Sequence, residues 1–98
     1  MYTRIVNVSL KPGTMDEAIK IYENSVIPAA KAVDGYNGGY LLVDREKNTV
    51  KSIAIYETKE KMIESDESGY LQEQIAKFGE FFTEPPVTEI YENALNIK

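Results

Sequence analysis

The chain has 98 residues, of which 43% are apolar and 28% charged, the proportions of a single globular domain. Eleven basic residues stand against 16 acidic ones, and the resulting charge of −5 argues against binding to nucleic acid or to an anionic membrane. With no cysteine and no histidine, disulfides, thiolate and Ser-His nucleophiles, Cys/His zinc sites and an axial imidazole for haem all drop out. What remains is carboxylates, lysines, amides and seven tyrosines. No apolar run is long enough to span a bilayer, and the first ten residues are too short and polar for a signal-peptide core, so a cytoplasmic location is expected.

Tyr2 to Leu10 alternates with the period of a strand: Val6, Val8 and Leu10 face one way, Ile5, Asn7 and Ser9 the other. Lys11-Pro12-Gly13 ends it. Thr14 and Glu17 have capping-box spacing, and Ala18, Ile21, Tyr22, Val26, Ala29 and Val33 then recur at helical spacing. Pro28 removes a hydrogen bond to Asn24, which predicts a kink near Ser25, and Gly35 suits a left-handed stop.

Tyr36 to Asp44 and Thr49 to Glu57 read as an antiparallel hairpin, and the unbroken apolar run from Tyr40 to Val43 predicts burial on both faces. A short helix is expected from Lys59 to about Glu64 with Met62 and Ile63 inward, in a junction whose Glu64, Asp66 and Glu67 are solvated. Ser68 can cap a second helix carrying Leu71, Ile75, Phe78 and Phe82 on one stripe. After a double proline, Val87 to about Leu95 has the mixed character of an edge strand.

The order βαββαβ predicts an α+β, ferredoxin-like domain spanning the chain, a four-stranded antiparallel sheet with helices on one face. An uncovered second face implies a second copy packed sheet to sheet, hence a homodimer.

The phrases Gly35-Tyr36-Asn37-Gly38-Gly39, Ile55-Tyr56-Glu57-Thr58-Lys59-Glu60 and Ser68-Gly69-Tyr70-Leu71 resemble the antibiotic biosynthesis monooxygenase-like family, whose members are dimeric α+β barrels. The resemblance implies oxygenation of a small hydrophobic, aromatic or quinol-type compound with no cofactor. Its alternative is a homodimer of the same fold that binds a small ligand, or serves structurally, without catalysis. Where relatives often carry a tryptophan this chain has Tyr56, and where they often carry histidines it has Ser65, Tyr70 or Gln74, so histidine-dependent haem degradation is not expected.

Tyr56 and Tyr70 are the candidate catalytic residues, as phenols able to donate to a developing enolate or move a proton. Tyr36, Tyr40 and Gln74 are candidates for substrate binding, and so is Asn7 by resemblance, although counting back from Pro12-Gly13 gives the inward position to Val6. The competing role for the tyrosines is core filling with the hydroxyl at an edge; for Gln74 it is solvation. Arg4 is expected in a surface or interface ion pair with a carboxylate such as Glu89. Glu57 and Glu89, if desolvated, are candidate bases.

Overall fold

The computed structural model describes every residue from Met1 to Lys98. Four strands, β1 (Tyr2–Ser9), β2 (Tyr36–Asp44), β3 (Thr49–Tyr56) and β4 (Val87–Glu92), form one antiparallel sheet in the order β2-β3-β1-β4. β1 is central and β4 lies at an edge, as their sequences suggest. The helices α1 (Met15–Ile21), α2 (Ile27–Lys31), α3 (Lys59–Glu67) and α4 (Tyr70–Ala76) complete an α+β, ferredoxin-like fold.

Between α1 and α2 the expected kink is replaced by a π-helical turn, Tyr22–Val26. The Ile27 amide reaches back five residues to the Tyr22 carbonyl, and the wider turn carries the helix past Pro28. Thr14 does not close a capping box; its hydroxyl donates to the Lys11 carbonyl at 2.7 Å and so holds the preceding turn. The third helix runs a turn beyond its expected end. It buries Met62 completely while Ile63 points outward, 40% exposed.

The alternation read from β1 holds. Val6 and Leu10 are buried, and Leu10 joins Met15, Ala18 and Val50 in the core, flanked by Val8, Phe78 and Phe82. Burial on both faces of β2 does not hold within one chain, because Tyr40 and Leu42 are 64% and 49% exposed. By register these two stand beside Ile53 and Lys51 on the face that no helix covers.

A bulge between Tyr36 and Gly39 sets the geometry of β2. Three residues there match two on β3, since Tyr36 pairs with Tyr56 and Gly39 with Ala54. The shift turns Tyr36 toward the helices and Tyr40, four residues later, away from them. Gly39 is needed at this crossing: a Cβ there would meet the Ile53 carbonyl oxygen at 2.0 Å and the Tyr36 hydroxyl at 3.2 Å. Gly39→Ala should therefore cost about 3 kcal/mol, the upper range for forced overpacking, measured by urea denaturation. A loss below about 0.5 kcal/mol, the usual size for a neutral surface change, would show that the crossing is not tight.

Candidate functional site

A cavity of about 80 Å³ lies between the inner face of the sheet, the first helical segment and α4. β1 contributes Arg4, Val6 and Val8 to its walls; the first helix and its π turn contribute Ala18, Tyr22 and Val26. Tyr70, Leu71, Gln74 and Ile75 of α4 form the opposite wall, and Phe78 and Phe82, stacked with centroids 6.5 Å apart, close one end. The helical stripe read from the sequence is thus one wall of this cavity.

The polar groups of the cavity centre on Arg4, whose place the sequence did not predict. It is 4% exposed and pairs with Asp66, not Glu89. The reason is parity: Glu89 sits across from Ile5 in the β1–β4 register and so occupies the other face of the sheet. Arg4 also donates from Nη2 to the Tyr56 hydroxyl at 3.3 Å, and its guanidinium carbon lies 5.2 Å from the centre of that ring. The Tyr56 hydroxyl shares a further hydrogen bond of 3.2 Å with Ser65. Asp66, expected to be a solvated residue of an acidic junction, instead neutralises a buried cation. Burial pushes its carboxyl up, against the pull of Arg4.

The six residues proposed from sequence divide between two faces. Tyr36, Tyr70 and Gln74 border the cavity together. Tyr56 has no exposed surface and does not border it; it packs edge-on against Tyr36 with centroids 6.0 Å apart and supports Arg4 from behind. Tyr40 and Asn7 lie on the uncovered face, away from the cavity. The bulge sends Tyr40 there, and strand alternation sends Asn7, whose amide donates to Glu89 at 2.6 Å and to the Val87 carbonyl at 3.3 Å. Val6 takes the inward position. Glu89 is no candidate base, since hydrogen bonds from Tyr91 and Asn7 hold its carboxyl below the usual carboxylate range. Sequence reading also missed Tyr22, which borders the cavity and shares a 3.0 Å hydrogen bond with Ser52 on β3.

Two polar atoms of the lining residues have neither solvent nor a hydrogen-bond partner: Arg4 Nε and Gln74 Oε1. The phenols and the Ser52 hydroxyl are further proton carriers in the lining. Burial raises Tyr70 far above a free phenol, helped by its neighbour Tyr56, and raises Tyr36, helped by Tyr22 and Tyr56. At neutral pH both are therefore hydrogen-bond donors and not bases. No group of three or more acidic residues stands where it could hold a metal ion, and no helix is long and apolar enough to cross a membrane.

The sheet order, the bulged second strand and a small apolar cavity between sheet and helices define a ferredoxin-like α+β domain. This is the fold of antibiotic biosynthesis monooxygenase-like proteins. A cofactor-independent oxygenase from Streptomyces nogalater superposes with a TM-score of 0.79 at 11% identity, covering 98% of this chain and 95% of that one. A protein from Nitrosomonas europaea, provisionally named an antibiotic biosynthesis monooxygenase, gives 0.79 at 16% identity over 97% of this chain and 100% of the other. A monooxygenase from Streptomyces coelicolor, solved with the ligand nanaomycin D, gives 0.75 at 15% identity over 99% and 90%. No family model matches the sequence, and no curated protein does.

A group whose folded pKa is raised stabilises the fold fully below its unfolded value and loses that contribution as pH climbs through the folded one. For Tyr36 and Tyr70 the unfolded reference is 10.0, so stability should fall above about pH 10. Tyr70→Phe should flatten that fall in urea melts, and phenolate absorbance should appear later in the wild-type protein than for free tyrosine. A fall of unchanged steepness in Tyr70→Phe would show that this phenol is not desolvated.

Proposed function

We propose that the chain binds a small aromatic or quinol-type compound at the mouth of this cavity, with part of it inside, and oxygenates it with dioxygen, without a cofactor. The observation that carries the reading is an apolar cavity whose facing walls present two phenols held protonated, Tyr36 and Tyr70, with the buried guanidinium of Arg4 in its lining. Such donors stabilise an enolate or phenolate as its charge develops, in a site that excludes much of the water. That the structural neighbours include proteins named as monooxygenases supports the same reading.

In the reaction this wall suits, the substrate is its own reductant. An activated methylene beside a phenol loses its proton, and the carbanion passes an electron to dioxygen. The two fragments then combine as a peroxide. Loss of water leaves one oxygen atom as a new carbonyl: the CH₂ group plus O₂ becomes C=O plus H₂O. Tyr70 and Tyr36 hydrogen-bond the anion as its charge develops. Nothing in the cavity titrates as a base near neutrality, so the proton leaves to water and the rate should rise with pH as the substrate ionises.

Purified protein exposed to anthrones and hydroquinones under air should consume dioxygen, and Tyr70→Phe should slow uptake about a hundredfold. Uptake that Tyr70→Phe leaves unchanged would remove this residue from the chemistry. The second reading is a non-catalytic binder of small ligands. It is favoured by the modest volume, about 80 Å³ against about 150 Å³ for an engineered void that admits benzene. No uptake across the panel would transfer support to it.

The uncovered sheet face bears on assembly. Tyr40, Leu42, Val87 and Tyr91 are each about half exposed or more, and Ile5 and Ile53 lie between them in register. A monomer rarely leaves such a face to water, and a second copy presents the same surface to meet it. Light scattering should give twice the 11.1 kDa of one chain, and Leu42→Lys should return the protein to a monomer. A wild-type mass of one chain would sink the dimer.

A further inference from the structure

The two sides of this cavity are built differently. Val6, Val26 and Ala30, from β1 and the first helical segment, are buried. Tyr70, Leu71, Ile75 and Phe78 border the same cavity from the α4 side but are only partly buried. A helical stripe packed directly on a core would be covered; this one stands off the sheet across the intervening space.

The α4 segment is fastened at its two ends. Before it, Ser68 Oγ donates to the Ser65 carbonyl at 2.6 Å and accepts from the Tyr70 amide at 3.3 Å, which ties its start to α3. After it, the Phe81 carbonyl accepts from the Lys11 amide at 2.7 Å and Phe82 bridges to Leu10, beyond the end of β1. Between these anchors one hydrogen bond reaches the opposite wall: Lys77 Nζ donates to Ser25 Oγ on the π turn. Ser25 and Lys77 precede the lining residues Val26 and Phe78, and neither borders the cavity, so the bond ties the two walls together from outside. Being exposed, it exchanges readily for bonds to water.

Gly69 supplies a pivot. It stands immediately before α4 with φ at +87°, and a Cβ there would meet nothing within 4 Å. Glycine in open space passes between left- and right-handed backbone at little cost. Volume gives such a motion a purpose. The closed cavity offers about 80 Å³, against about 150 Å³ for a void that admits benzene, so it holds only part of a ring.

We propose that α4 is a lid over the cavity, pivoting at Gly69 and latched by Lys77 on Ser25, which opens to admit a planar apolar ring that the closed cavity cannot hold. The proposal rests on the reading of this cavity as the ligand site, and it stands whether or not oxygenation follows. The ring enters between the α4 stripe and the inner face of the sheet, and its burial there offsets the loss of the latch.

Because the chain has no cysteine, two spin labels can be placed without competing thiols. Glu23→Cys on the π turn and Glu73→Cys on α4 put both labels at exposed positions outside the cavity lining and the latch. Double electron–electron resonance, with labelled protein diluted in unlabelled protein so that distances within one chain are read, should show the separation growing when 2-naphthol saturates the site. The expected increase is about 3.5 Å, one carbon packing distance. Ser25→Ala, which removes the latch, should tighten 2-naphthol binding about threefold, followed by the fluorescence of the naphthol.

A separation that saturating 2-naphthol leaves unchanged would overturn the lid, and so would failure of the wild-type protein to bind 2-naphthol. Equal affinities in Ser25→Ala and wild type would overturn the latch. The lid and the oxygenase reading fail separately. Dioxygen uptake with anthrones, with labels that do not part, would sink the lid and leave the oxygenase reading standing. Labels that part without any uptake would support the lid and sink the oxygenase reading.

Discussion

A cation with 4% of its surface exposed is the constraint on which the rest of this structure turns. Removing a guanidinium from water costs several kcal/mol, so Arg4 can exist at the centre of the sheet only if its surroundings answer each of its demands. Asp66 supplies the opposite charge from α3, Tyr56 an acceptor and a ring face from β3, and Ser65 holds the Tyr56 hydroxyl in turn. These contacts fasten the third helix to the two middle strands at one point. Satisfaction is incomplete only at Nε, and that gap lies in a residue that borders the cavity.

Much of the architecture was legible because it depends on period and punctuation. The alternation in β1, the stripe Leu71, Ile75, Phe78 and Phe82, and the hairpin around Asn48 are local signals, and each found its place. The site was less legible, since its parts meet through register. Arg4 and Asp66 are 62 positions apart, and nothing in either segment names the other. Tyr36 and Tyr40 share a parity in sequence and would share a face in a regular strand; one extra residue at the bulge separates them. Pairing Arg4 with Glu89 failed for a similar reason, because adjacency in a sheet does not decide which face a side chain takes.

The solved neighbours share this fold at 11–22% identity, a level at which a fold carries no particular function with it. This chain has no histidine and no tryptophan, and the polar groups lining its cavity are phenols, one serine hydroxyl, one amide and one guanidinium. Tyr36 and Tyr70 stay protonated at neutral pH, which fits them to bind and polarise. Under the proposed function reactivity originates in the ligand, and the protein's part is to choose its ionisation state and orientation.

The strand order has a consequence for how the chain reaches this state. β1 is first in sequence, yet it lies between β3 and β4, so its two neighbours arrive about fifty and eighty-five residues later. Until then both of its edges are bare, and the strand carries Ile5, Val6 and Val8 in a β-prone run. Such non-local pairing folds slowly and leaves an interval in which two nascent chains can pair with each other. Asn7 and Arg4 interrupt that run with polar groups. In the finished protein they face opposite sides of the sheet; in the unfinished one they discourage the same mistake.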